Sequence, residues 1–384
     1  MRIGLLIGGL GQGGAERQLA QLALGLQRRG HLVELCTYAT AGPAEADLQQ
    51  QGVTVRMFAT GSKMAKLKAV RRWLRDFQPD VLFGSMKRAS SLAVLANLPI
   101  RRCRVVGNDF STASYSRRKP ELWLALILFT LTDAVVTETE MNRRNLARLA
   151  PWLARRLHVI RNGVDTERFR PAERSVERQD LVREVCPTAS EKQQVFRFVC
   201  VGTVYRIKNP VRVVEAVHRL RQRWPGAFRL DWYGRPGQDP SVPSPDFLRA
   251  VQLVEQYGLQ DCVRFHGPRA DIEKAYREAD ALVHVSLQEG IPNAVVEGMA
   301  CGLPVVVSRV SDLPLIVQTA RNGFVCDETD VEAIADAMQR MLETPPTERL
   351  AMSRRSRELA EKWFGLERYI SEFEALYRSL LARP

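Results

Sequence analysis

Short apolar runs alternate with amphipathic stretches along this chain, and the alternation occurs in two blocks separated by a charged interval. In the first block, residues 2–8 (RIGLLIG), 31–38 (HLVELCTY), 53–58 and 80–84 have the length and apolar content of buried strands. Between them, residues 15–27 and 64–77 place apolar side chains at helical spacing, and Gly30 stands where a helix-terminating glycine belongs. After residue 195 the pattern resumes. Strands are predicted over 196–201, 228–233, 263–266, 281–285 and 304–308, and helices over 210–223, 272–278 and 293–301, with a closing helix over 364–382. Such alternation points to an α/β fold with mostly parallel, doubly wound sheets covered by helices on both faces.

At roughly 100–200 residues per domain, 384 residues predict two domains. Residues 170–194 (RPAERSVERQDLVREVCPTASEKQQ) are charged and poor in bulky apolar side chains. The expected division is a first domain over 1–170, a linker and entry segment over 171–194, a second domain over 195–363, and a terminal helix over 364–384. Hydrophobic residues are 45% and charged residues 26%, which excludes disordered, collagen-like and coiled-coil chains. The formal charge of +13 favours anionic partners: nucleic acid, an anionic membrane face, or phosphorylated small molecules. The seven cysteines form no C-x-x-C pair, so neither a disulfide framework nor a structural zinc site is expected, and a reducing cytoplasm fits. The first residues lack the basic and long apolar regions of a secretory signal. Residues 122–132 (LWLALILFTLT) are too few for a membrane span of about 20 residues and are predicted to form a buried helix.

Gly9-Leu10-Gly11-Gln12-Gly13-Gly14 holds a G-x-G-x-x-G pattern directly after a strand and opening a helix. Glu34 follows near the end of the second strand, where a ribose ligand of a dinucleotide would stand. An NAD-dependent oxidoreductase using this loop is therefore one alternative. The narrower inference is that the glycines let backbone amides approach an anion at a helix N-terminus, which a sugar nucleotide would satisfy equally.

The most informative stretch is residues 286–308 (SLQEGIPNAVVEGMACGLPVVVS). Glu289 lies in a loop after a strand and Glu297 lies two turns into the next helix. Pro292 suits that helix's first turn, so amides around Ile291, Asn293 and Ala294 can face an anion. A pair of carboxylates there could accept hydrogen bonds from a ribose diol and a sugar hydroxyl.

On these residues the chain resembles the family 4 glycosyltransferases of the GT-B fold, over nearly its whole length. The resemblance rests on residues 11–17 (GQGGAER), on 159–165 (VIRNGVD) with Phe169 and Pro171, and on Val201-Gly202-Thr203 through Lys208-Asn209. It also rests on the Glu289 to Glu297 motif and on residues 322–325, taken as the turn that follows. It implies two Rossmann-like domains facing a central cleft, with the C-terminal helix crossing back to the first. It further implies transfer, with retention, of a sugar from a nucleoside diphosphate sugar, UDP-linked in preference to GDP-linked, to a glycan or lipid-linked acceptor. The implied setting is cytoplasmic, in cell-envelope polysaccharide or lipopolysaccharide assembly.

Carried over residue by residue, Lys208 would contact the donor diphosphate and Glu297 the ribose. Glu289 would lie near the donor sugar, with Gly290, Ile291, Asn293 and Ala294 close by. Gly13 and Gly14 would face the distal phosphate, and Arg17, Asn108 and Asp109 would line the acceptor side. The family's usual arginine after the phosphate-loop glycine is replaced here by Thr203, so Arg206 is the expected substitute. The first-domain loop 106–110 lacks the family's histidine, and His31, His158, His218, His266 and His284 are expected to be structural. No D-x-D pair is found that would hold a divalent ion, so neither metal nor cofactor is expected. On residues 64–77, Lys68, Arg71, Arg72 and Arg75 share one helical face. Two readings stay open: an ordinary surface helix, or peripheral contact with an anionic membrane. Arg117, Arg118 and Lys119 form a second basic cluster. Nucleic acid is not an expected partner, because no recognised binding module is present.

Overall fold

Why the first strand is buried on both sides is visible in its neighbours. In the computed structural model, which describes residues 1–11, 13–40, 43–58, 61–109, 120–172, 195–239 and 241–382, strand β1 (Arg2–Gly9) runs between β2 (Leu32–Thr40) and β4 (Val81–Gly84). Ile3 pairs with Val33 on one side and with Val81 on the other, both parallel. With β3 (Thr54–Met57), β5 (Arg104–Asn108), β6 (Ala134–Thr137) and β7 (Leu157–Val159), they form a seven-stranded sheet in the order β3-β2-β1-β4-β5-β6-β7. One face packs Ile3, Leu5 and Ile7 against helix Gly14–Arg28 and the C-terminal helix Leu366–Leu381. The other packs Leu6, Leu82 and Val105 against helices Lys63–Phe77, Met86–Asn97 and Pro120–Phe129.

The second sheet has six strands: β8 (Phe196–Val201), β9 (Phe228–Tyr233), β10 (Val263–Gly267), β11 (Ala281–His284), β12 (Val305–Ser308) and β13 (Gly323–Cys326). Their order is β10-β9-β8-β11-β12-β13, all parallel. Helices Pro210–Arg223 and Val331–Glu343 cover one face. Helices Ile272–Glu278, Asn293–Ala300 and Leu313–Ala320 cover the other. Both sheets are doubly wound. Chain direction away from the first-laid strand reverses between β1 and β4 in one and between β8 and β11 in the other, and ligands bind beyond the carboxyl ends of strands at such switch points.

The chain divides into unit 1, Met1–Gly163 with Leu366–Pro384, and unit 2, Val164–Gly365. Residues 164–170, grouped with the first domain on sequence, thus lie in unit 2. Val164 and Phe169 are buried there, Phe169 edge-on to Tyr276 at 6.1 Å, and Arg357 donates to the Phe169 carbonyl at 2.7 Å. Phe364 ends helix Pro346–Phe364 with its ring buried in unit 2, so the C-terminal helix begins two residues later than expected, at Leu366. That helix fills unit 1 with Tyr369, Phe373 and Tyr377, and it lies so close to Gly25 that a Cβ there would overlap Ile370 Cδ1.

Three further expectations change. Residues 323–326 are not a turn but the edge strand β13, with Gly323 so near the Val305 carbonyl that no side chain fits. Pro292 stands at the N-cap, one residue before the helix it opens. Helix Pro120–Phe129 is only half buried, because Leu124 and Ile127 face outward. Most of the linker, residues 173–194, and the basic cluster 117–119 lie outside the described residues.

Candidate active site

Strand β8 ends at Val201 and the chain turns at Gly202, whose φ of +143° is a conformation side chains rarely adopt. Gly202 donates to the Tyr233 carbonyl at 2.9 Å, and Trp232 Nε1 donates to the Gly202 carbonyl at 2.9 Å. A Cβ on Gly234 would overlap that same carbonyl, so the loops after β8 and β9 touch backbone to backbone. A short turn, Arg206–Lys208, follows, then Asn209 in the left-handed region (φ 61°) before Pro210 opens the next helix. Asn209 is buried and its Nδ2 donates to the carbonyls of Val285 at 3.1 Å and Glu328 at 2.8 Å. Leu287 N donates to the Ile207 carbonyl at 2.8 Å. The loop after β8 is thereby stapled to the loop after β11, across the switch point.

The stapling brings together residues that are 81 positions apart in the chain. Lys208 Nζ forms an ion pair with Glu289 Oε1, and His284 Nε2 lies 3.0 Å from the same oxygen. Ser286 Oγ lies 3.1 Å from His284 Nε2. Burial alone would push the Glu289 carboxyl up, but the Lys208 ammonium and the His284 ring together hold it at about 2. Burial, reinforced by the Lys208 charge, pushes the His284 ring below its ordinary value despite Glu289. His284 is therefore neutral at pH 7, and the tautomer with a proton on Nε2 satisfies Glu289. A cavity of about 10 Å³ lies under Lys208 and His284, walled by Trp232, Val283 and Ser286.

Glu297 is buried in the second turn of helix Asn293–Ala300, where Tyr276 OH donates to its Oε2 at 3.1 Å. Gly290, Asn293 and Ala294 are half-exposed at the start of that helix, and Ile291 is buried under the turn. Anions are favoured at the first turn of a helix. Thr203 is half-exposed, and Arg206 is exposed with its guanidinium in no hydrogen bond or ion pair among the described residues. Both of the loop's cations thus stand at the mouth of the unit 2 switch point, one on a carboxylate and one in solvent.

In unit 1, Gly13 N-caps helix Gly14–Arg28 without a side chain, and the Glu16 carboxylate folds back so that a Cβ on Gly13 would overlap Glu16 Oε2. An anion approaching Gly13 and Gly14 must therefore displace a flexible carboxylate. Gln12 lies outside the described residues, and Arg17 is exposed. Asn108 is fully buried and structural in its contacts: Oδ1 accepts from Met86 N at 3.3 Å and Nδ2 donates to the Val136 carbonyl at 3.3 Å. Asp109 is also buried, with Lys87 Nζ 3.5 Å from its Oδ2. Glu34 does not stand free for a ribose. Arg56 grips it through Nε at 2.7 Å and Nη2 at 3.0 Å, and Trp73 Nε1 donates to it at 2.7 Å. Among the described residues, no three His, Cys, Asp or Glu side chains group as a metal site.

His284, expected on sequence to be structural, stands in this cluster beside Glu289. Its signal was its place as the last residue of a buried strand, five before a loop glutamate.

Two doubly wound parallel-sheet units, the second with a cation–carboxylate cluster at its switch point, define a protein of the GT-B type. The description "Glycosyltransferase Family 4" matches residues 12–168 and "Glycosyl transferases group 1" matches residues 195–344. The chain belongs to the family 4 glycosyltransferases. It is 30% identical over 256 residues to a D-inositol 3-phosphate glycosyltransferase of Saccharomonospora viridis, covering 65% of this chain and 56% of that one. The chain thus spans little more than half the length of this relative. Among solved structures, Anabaena Alr3699/HepE in complex with UDP superposes with a TM-score of 0.81 at 19% identity, covering 99% of this chain and 100% of that one. WaaG, a glycosyltransferase involved in lipopolysaccharide biosynthesis, superposes with a TM-score of 0.69 at 18% identity, covering 98% and 99%. These two likenesses concern the fold.

Proposed function

We propose that this chain is a retaining glycosyltransferase that moves a sugar from a UDP-sugar to a glycan or lipid-linked acceptor in cell-envelope assembly. The observation that carries the reading is the Lys208–Glu289–His284 cluster at the switch point of unit 2, four residues before helix Asn293–Ala300 begins. The UDP complex of HepE and the lipopolysaccharide role of WaaG support the donor and the setting. The reading places the chain in the cytoplasm, where sugar nucleotides are made.

Cleaving the bond between an anomeric carbon and a diphosphate leaves growing negative charge on the phosphate and an oxocarbenium-like sugar. Lys208 and the exposed Arg206 offset the first, together with amides at the start of helix Asn293–Ala300. No metal or cofactor is needed for that task, so EDTA should leave turnover unchanged. To meet the diphosphate, Lys208 exchanges a carboxylate partner for a phosphate one. Glu289 is then released as an anion, still oriented by His284, and can stabilise positive charge on the sugar. Glu297, fixed by Tyr276, accepts from the ribose hydroxyls.

The test is a panel of sugar nucleotides in thermal-shift and turnover assays. UDP should raise the melting temperature and NADH should not, and Lys208→Met should lose at least ~10²-fold in turnover, as does removal of one oxyanion-type donor. Full turnover in Lys208→Met, or protection by NADH alone, would overturn the reading. Protection by GDP and not by UDP would overturn the choice of base.

A further inference from the structure

Strand β11 ends in His284, whose side chain is only 4% exposed. The three residues before it, Ala281, Leu282 and Val283, are core side chains, so the imidazole has left water and needs polar partners inside. Its Nε2 lies 3.0 Å from Glu289 Oε1, the same oxygen that Lys208 Nζ holds. Ser286 Oγ stands 3.1 Å from that nitrogen. One carboxylate oxygen therefore has two nitrogen partners. The first is an ammonium, and the second is a ring that becomes a cation by binding one proton.

The groups that face this ring come from two loops and two strands. The loop after β8 brings the Lys208 ammonium and Tyr205, whose phenol is raised by burial and by the Glu289 charge. The loop after β11 brings Glu289 and Ser286. Strands β8 and β9 bring Cys200 and Trp232 to the cavity that His284 and Lys208 line, and burial keeps the Cys200 thiol protonated. Among these groups Lys208 is the one cation. Burial and the Lys208 charge keep the ring neutral, while the Glu289 carboxylate pulls the other way. The cluster is thus balanced, with one ammonium, one carboxylate and an uncharged ring.

A diphosphate upsets that balance. Once Lys208 turns to phosphate, Glu289 stays buried without its ammonium, and new negative charge stands close by. We propose that donor binding is proton-linked: as Lys208 passes from Glu289 to the diphosphate, His284 takes up one proton from solvent and becomes the carboxylate's cation in its place. Nε2 already carries the proton that Glu289 accepts, so the new one goes to Nδ1. His284 is in this way a positioning residue, whose imidazolium holds Glu289 where the ammonium held it. The inference rests on the donor reading of unit 2 given above. By linkage, a donor that raises the proton affinity of His284 is itself bound more tightly when that proton is on. One proton allows at most ~tenfold tighter binding per pH unit.

The experiment is calorimetric titration of the full chain with UDP-glucose, whose diphosphate diester has no group of its own titrating between about pH 5 and about pH 8. Heats compared in PIPES and in imidazole, buffers of low and high ionisation enthalpy, count the protons taken up. The wild type should take up ~0.5 proton or more per ligand near pH 6.5, and its Kd should fall at least ~threefold from about pH 8 to about pH 6. His284→Gln, which keeps a donor toward Glu289, should bind without uptake and with a flat pH profile. His218→Gln, which alters a ring stacked on Tyr257 on another helix of unit 2, should keep the wild-type uptake. Heat protection by UDP-glucose shows that His284→Gln is folded. If it is not, the ring-nitrogen NMR shifts of wild-type His284, neutral when free and imidazolium when saturated, read the same charge. Binding by the wild type with less than ~0.1 proton taken up overturns the inference and leaves the donor reading standing. Uptake that persists in His284→Gln does the same, since Glu289 itself then takes the proton. No binding of UDP or of UDP-glucose overturns both.

Discussion

Replacing Glu289 by Gln removes a buried anion while keeping the shape of its side chain. In the wild type, the Lys208 ammonium and the His284 ring hold the Glu289 carboxyl at about 2 against an ordinary value of 4.5. At 1.36 kcal/mol for each tenfold change, that drop amounts to about 3 kcal/mol favouring the folded, ionised form. Because the folded value lies below the unfolded one, this stability is complete above about pH 5 and declines as pH falls toward 2. Linkage puts the loss between about 1 and 2 kcal/mol by pH 3.5. Glu289→Gln should therefore be about 3 kcal/mol less stable at pH 7, since it also strands the Lys208 ammonium. The gap to the wild type should shrink to about half of that at pH 3.5. Urea unfolding read by hydrogen exchange in β8 scores unit 2 alone. Lys208→Met added to Glu289→Gln should recover part of the loss, with a coupling of about 1 kcal/mol or more. A gap that stays constant within about 0.5 kcal/mol between pH 7 and pH 3.5 would refute the ion pair as the source of the effect.

Gly25→Val should push Ile370 and the C-terminal helix off unit 1, costing about 1–3 kcal/mol as overpacking does; faster proteolytic cleavage near Gly365 with unit 2 left intact is the readout. Tyr276→Phe should leave the fold standing but deprive Glu297 of a hydrogen bond, weakening UDP binding about tenfold in a titration. Unchanged UDP affinity would remove Tyr276 from the positioning of Glu297.

What could be read from the chain and what could not divides by range of interaction. Strand β1 and helix Asn293–Ala300 were legible because their signals are local: a run of apolar residues after a single Arg, and a proline followed by a helical apolar stripe. The pairing of Lys208 with Glu289 was not legible, since the staple through Asn209 and Leu287 is made by the parallel order of β8 beside β11. Glu34 misled for the same reason. Its spacing fits a ribose ligand, but its partners come from β3 and helix Lys63–Phe77, 22 and 39 residues onward. Residues 122–132 were placed in the interior because hydrophobicity alone does not tell a buried side from an exposed one when both sides are apolar.

The route of the chain through unit 1 bears on how the protein comes into being. Tyr369, Phe373 and Tyr377 complete the cluster that holds Ile3, Leu5 and Phe83, yet they are made after all of unit 2. During synthesis from the amino end, the β1 sheet must wait with that face uncovered while some two hundred later residues emerge and close on themselves. That face of the first sheet is thus sealed only after the whole of unit 2 has been made.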